Sequence, residues 1–202
     1  MPAGAASYNS LQTRILSLQT ITLVWMAVEC AVALFAAWRA RSVLLLAFGS
    51  DSFVELLSAS VVLIQFSPWL HISPYRAARL CGLLLYGLAG VVSVIAIIGL
   101  LHHAESDSSF LGMAVTAGAL LIMPLLAKMK REVATQTGNK ALRADAVQSA
   151  TCAYLAGLTL AGLLIRYIFG IHWIDLLAAL LAVPILIVEG KRARSGQTCA
   201  CC

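Results

Sequence analysis

The sequence predicts an all-α, polytopic membrane protein with six transmembrane helices and both termini in the cytoplasm. Three observations predict it. Of the 202 residues, 61% are hydrophobic and only 11% are charged, less than half the charged share of an ordinary soluble domain. The apolar residues fall into six runs of about the length needed to cross a bilayer. The basic residues are distributed unevenly between the two ends of those runs. With a mean hydropathy of +0.91, these features exclude a soluble globular domain, a disordered tail and a nucleic-acid module. The pI of about 9.0 therefore reflects membrane orientation and not a nucleic-acid partner.

Taken in order, the first span is expected over about Ile15–Trp38 and the second over about Val43–Phe66. Only Arg39-Ala40-Arg41-Ser42 separates them, so they should be antiparallel neighbours. Pro68 and Pro74 interrupt the next connection, since proline stops a helix. The third span covers about Leu80–Leu101 and the fourth about Phe110–Ala127, joined by a polar, acidic loop from His102 to Ser109. A basic connection, Lys128–Arg143 with Gly138-Asn139, leads to the fifth span at about Ala144–Ile168. A tight turn at Gly170 precedes the sixth, about Trp173–Val188, which contains Pro184. The domain plan is a cytoplasmic segment 1–14, a transmembrane domain 15–189 and a short Cys-rich cytoplasmic tail 190–202. Eleven of the fourteen Lys and Arg residues fall on the side of the termini, and Arg39, Arg41 and Arg166 fall on the other. The positive-inside rule then puts the termini in the cytoplasm. Short connections and the lack of organelle signals point to a bacterial plasma membrane. Cysteine spacing does not suggest a disulfide framework, and the first apolar run is too long for a cleaved signal peptide.

Six of the nine acidic residues lie in or at the edge of these spans: Glu29, Asp51, Glu55, Asp145, Asp175 and Glu189. A carboxylate at the bilayer centre costs at least a few kcal/mol, so such residues face the bundle interior, pair, or bind a cation. On this reading no Lys or Arg lies deep in a span, which favours a cation site or a proton path. Asp51 and Glu55 are four apart and share a helix face; Asp145, Gln148 and Cys152 share another. Asp51, Glu55, Gln148 and Cys152 together form a four-donor set from two helices, suited to a tetrahedral ion such as zinc. Two adjacent carboxylates without a cation repel, so one holds a proton; this is a basis for exchanging protons against metal.

Each residue also has a plainer reading. Asp51 and Glu55 read as a packing pair, Cys152 as a small apolar core residue, and Gln148 as an interhelical hydrogen-bonder. Glu29 and Asp145 stand as an accessory metal or proton path, or as a hydrogen-bonder and a helix cap respectively. Asp175 reads as a cap and Glu189 as a solvated interfacial charge. His102, His103, Glu105 and Asp107 read as a solvated outer loop or a weak release site. Cys199, Cys201 and Cys202 read as a soft-metal relay or as a tail without a role.

The stretch Asp51-Ser-Phe-Val-Glu55 followed by Leu56-Leu57-Ser58-Ala59-Ser60-Val61-Val62-Leu63 resembles the cation diffusion facilitator family. So do Leu142-Arg143-Ala144-Asp145-Ala146-Val147-Gln148-Ser149-Ala150-Thr151-Cys152 and Trp173-Ile174-Asp175-Leu176-Leu177-Ala178-Ala179. The resemblance runs from the first helix to the sixth. It implies six helices with cytoplasmic termini, a metal site from paired polar residues on the second and fifth helices, and homodimers. Gln148 and Cys152 stand where the family usually has His and Asp. Only about a dozen residues follow Glu189, which resembles the branch of short members without a C-terminal cytoplasmic domain. The function expected is proton-coupled efflux of a divalent metal cation, zinc first and cadmium next, by alternating access. No resident cofactor is expected, and the partners are metal cations, protons and the lipid bilayer. The alternatives are a non-transporting metal sensor or scaffold acting through the tail cysteines, and an intramembrane enzyme. The enzyme lacks support, since no Gly-x-Ser-x-Gly elbow and no histidine inside a span is present.

Overall fold

The computed structural model describes residues 3–64, 74–102, 106–138, 140–171 and 173–195. Six helices follow one another: α1 (Ala3–Ala40), α2 (Val43–Ile64), α3 (Pro74–Leu101), α4 (Phe110–Thr137), α5 (Lys140–Phe169) and α6 (Ile174–Ser195). No strand occurs among the described residues. Their order matches the six apolar runs, because a long apolar run in helical form satisfies its backbone polar groups within one segment, even with Pro124 inside α4 and Pro184 inside α6. Among the described residues, four stretches are long and apolar enough to cross a membrane: Thr13–Ala40, Gly82–Leu101, Phe110–Thr137 and Asp145–Phe169.

Local chemistry sets the boundaries. Arg41, at φ +50°, turns the chain sharply between α1 and α2. The Ser42 hydroxyl then caps α2 by accepting from Leu45 N at 3.1 Å. Ser109 caps α4 in the same manner, accepting from Gly112 N. Gly138 and Gly170, both at φ +65°, close α4 and α5 in the left-handed region open to glycine.

Five boundaries differ from the sequence expectation: α3 begins at Pro74, the proline expected to interrupt the connection, α5 begins at Lys140, α6 runs on to Ser195, and α1 and α4 are also longer than expected. Helix α1 begins at Ala3, well before the first apolar run. Helix α4 runs ten residues past Ala127 to Thr137, so most of the expected basic loop is helix. Its buried face explains the extension: Met123, Leu126, Ala127, Lys130, Val133 and Ala134 continue one stripe at helical spacing. The interior benefit of Val133 and Ala134 outweighs the charges on the opposite face.

The most extensive pairings are α4 with α5, α3 with α6 and α1 with α2; α1 also meets α4, and α2 meets α3, α5 and α6. One core cluster draws on all six helices through Met26, Phe48, Leu85, Met123, Leu155 and Leu186. The exterior is the reverse of a soluble protein's. Trp38 is 77% exposed and Leu121 76% exposed, with Ile21, Val24, Leu101, Ile168 and Leu181 also outward. Glu29, Glu55, Lys130 and Gln19 have no exposed surface. An apolar exterior around an ionic interior is the arrangement a lipid solvent favours.

Candidate functional site

Four helices build a polar core. Helix α1 contributes Gln19, Trp25 and Glu29; α2 contributes Asp51, Ser52 and Glu55; α4 contributes Lys130; α5 contributes Asp145, Ser149 and Cys152. All of these except Trp25, which is partly buried, are buried. The helical spacing of Asp51 with Glu55, and of Asp145 with Ser149 and Cys152, turns each set to one face. The contacts of α2 with α5 and of α4 with α5 bring those faces together.

Two halves can be distinguished. In the first, Glu29 accepts from Trp25 Nε1 at 2.6 Å on Oε2. Its Oε1 stands 2.8 Å from the Ser52 hydroxyl and 3.6 Å from the Cys152 thiol. In the second, Lys130 Nζ lies 2.8 Å from Asp145 Oδ2 and 2.9 Å from Ser149 Oγ. Gln19 Nε2 donates to the same Asp145 oxygen at 2.8 Å. The Ser149 hydroxyl donates to Glu55 Oε1 at 2.5 Å. Cys152 and Ser149 share one face of α5, so the thiol at Glu29 and the hydroxyl at Glu55 bring the two halves together.

Among the described residues, four buried oxygens find no donor: Asp51 Oδ1, Glu55 Oε2, Asp145 Oδ1 and Gln19 Oε1. Such orphans are costly in a dry interior. The core holds the carboxylates of Glu29, Asp51, Glu55 and Asp145 against the single ammonium of Lys130, a balance short of positive charge. An acceptor left bare in that setting takes up a proton or a cation. Carboxylates beside a thiol suit borderline divalent ions, which displace protons from their ligands on binding.

Of the sequence-derived candidates, Asp51, Glu55, Cys152 and Glu29 are all buried in this core, and Cys152 contacts Glu29. Asp145 lies beside them in the Lys130 half. Gln148 is half-buried and enters none of the core's hydrogen bonds; Ser149 makes the contact with Glu55. Among the described residues, no three His, Cys, Asp or Glu side chains stand together closely enough to hold a metal ion. Cys199, Cys201 and Cys202 lie outside the described residues, as do His103 and Glu105.

Three expectations need correction. Lys130 is not a loop residue: it is fully buried and ion-paired with Asp145, so a basic partner does lie inside. Asp175 does cap a helix, but the helix is α2. It accepts from Val43 N at 3.0 Å, Leu44 N at 3.4 Å and the Ser42 hydroxyl at 2.5 Å. Glu189 is buried, at the edge of a cleft of about 240 Å³ between α5 and α6 lined by Thr151, Pro184, Ile185, Val188 and Arg192. Lys130, Gln19, Trp25 and Ser52 were not singled out from the sequence. The signal for Lys130 was present, because it continues the Met123–Leu126–Ala127 stripe.

Fold and core together define a helical bundle fit for a membrane, with an acidic interior. Compared with family models and with curated proteins, the chain matches none.

Proposed function

We propose that this protein is a membrane transporter of divalent transition-metal cations, zinc first, that exports its ion from the cytoplasm in exchange for protons. The observation that carries the reading is the pair of orphaned oxygens on Asp51 and Glu55, one helical turn apart on α2, inside a bundle with an apolar exterior. A carboxylate oxygen buried without a protein donor is stabilised by a proton or a cation upon it. The two occupants exclude one another, and that exclusion is the basis of exchange.

Asp51, Glu55 and Cys152 serve as ligands in this reading, and Glu29 supplies the fourth donor because it already touches Cys152. The four side chains draw together on the arriving ion, which sheds their protons. Alternating access then presents the loaded core to the far side, where protons return. All six helices span the membrane in this proposal, with both termini in the cytoplasm, and a bacterial plasma membrane is the compartment that the short connections favour. The resemblance of the α2 and α5 segments to cation diffusion facilitators supports the same function, and homodimers with it.

The test is zinc flux into proteoliposomes, with and without a proton gradient, for the wild type and Asp51→Ala. Flux that follows the gradient and falls at least tenfold in the variant is expected. Absence of wild-type flux for zinc and then for cadmium would overturn the proposal.

A further inference from the structure

Lys130 has no part in the transport scheme above, yet it is the one ammonium in the described polar core. Its surroundings are unusual for a structural lysine. Buried lysines cost several kcal/mol unless their donors are met. Here the ammonium is held at 2.8 Å by Asp145 and at 2.9 Å by Ser149. The Ser149 hydroxyl passes its own hydrogen to Glu55 at 2.5 Å. A single hydrogen-bonded chain thus runs from Asp145 through Lys130 and Ser149 to Glu55, with every member buried. Both carboxylates at its ends keep one bare oxygen, Asp145 Oδ1 and Glu55 Oε2. The groups that face Lys130 are Glu55 from α2 and Asp145 and Ser149 from α5, with Gln19 of α1 binding the shared Asp145 oxygen.

The chain therefore links an internal ammonium to the carboxylate that the transported ion would use. Charge on Lys130 stabilises the empty core and opposes a second positive charge arriving at Glu55. Ser149 is placed to carry that influence, since it contacts both groups and has only one hydrogen to give.

We propose that Lys130 is a tethered counter-cation that occupies the acidic core in place of the transported ion and sets how tightly that ion binds, acting on Glu55 through Ser149. This proposal rests on the cation-transport reading. Lys130 is a positioning residue here and touches no substrate. On loading, the incoming ion takes over the neutralisation of Glu55, and Lys130 is left to Asp145. On release, Lys130 again neutralises both sides, so the empty core does not need a bound metal to stay folded. A structural ion pair alone would hold α4 to α5 and leave the affinity for the ion unchanged.

The test is equilibrium binding of zinc sulfate to the full-length protein in detergent, repeated with cadmium, for wild type, Lys130→Arg and Lys130→Gln. The expected result is at least tenfold tighter binding in Lys130→Gln and binding within about twofold of wild type in Lys130→Arg. If Lys130→Gln does not yield a monodisperse protein, Lys130→Gln combined with Asp145→Asn takes its place, with at least threefold tighter binding expected. Unchanged or weaker binding in the folded charge-neutral variant would overturn the proposal and leave the transport reading standing. Wild-type protein that binds neither ion would overturn the transport reading, and this proposal with it.

Discussion

At the scale of single residues, the core separates groups by what their removal leaves behind. Lys130→Met would strand Asp145 in a dry interior. Breaking a buried pair from one side costs about 3–5 kcal/mol, whereas replacing both partners with apolar groups is often neutral. Thermal unfolding in detergent should therefore show a large loss for Lys130→Met and recovery of most of it in Lys130→Met combined with Asp145→Leu. Glu29 and Gln148 make a second contrast. Glu29→Gln should reduce zinc flux at least tenfold, because Glu29 touches Cys152 in the core. Gln148→Ala should leave flux within about twofold, because Gln148 stays outside that network. Equal losses from the two variants would return Gln148 to the ligand set. The i, i+4 spacing made Asp51 with Glu55 and the α5 face around Cys152 legible in the sequence. It did not show that Ser149, one position from Gln148, faces α2. A one-residue step turns a side chain by about 100° on a helix, and only the packing of α5 on α2 and α4 fixes the rotation.

At the scale of elements, the six helices were legible because each is a long apolar run, and their order was correct throughout. The end of α4 was not, since its last ten residues carry Lys128, Lys130 and Arg131 and read as a basic loop. The buried stripe that continues to Ala134 holds them helical. The start of α2 depends on a partner far away in sequence, which local capping rules do not anticipate. Asp175 of α6 binds the first backbone amides of α2, while its neighbour Trp173 begins the turn into α6. Asp175→Ala should cost about 1–2 kcal/mol, the scale of a lost helix cap, seen as a lower unfolding temperature without loss of helical circular dichroism. Close helix approach adds a steric constraint. A Cβ at Gly162 of α5 would stand 2.7 Å from Leu44 of α2 and 3.1 Å from Ala178 of α6. Gly162→Val should destabilise by about 1–3 kcal/mol through overpacking. Gly87→Ala on α3, where a Cβ meets nothing within 4 Å, should cause no comparable shift in the same unfolding assay.

At the scale of the whole molecule, an apolar exterior encloses a core with more carboxylate than ammonium. Composition alone foretold the exterior, because 61% of the chain is hydrophobic. The internal ion pair could not be foretold, because it joins residues from two helices whose neighbourhood only the fold defines. The charge asymmetry along the chain predicts both termini on the same, cytoplasmic side. Fusions of a reporter active only in the cytoplasm should be active at either terminus and silent in the segment between α3 and α4; any other pattern would refute six spans with that orientation. The central claim is that a divalent ion binds among Asp51, Glu55, Cys152 and Glu29. X-ray absorption at the zinc edge of the zinc-loaded protein tests it most directly. The account predicts a shell of oxygen donors at about 2.0–2.2 Å with one sulfur at about 2.3 Å. That sulfur should be lost in Cys152→Ser, and bound zinc should be lost in Asp51→Ala. Two or three sulfur donors that persist in Cys152→Ser and vanish when residues 199–202 are removed would contradict it, and would place the ion on the tail.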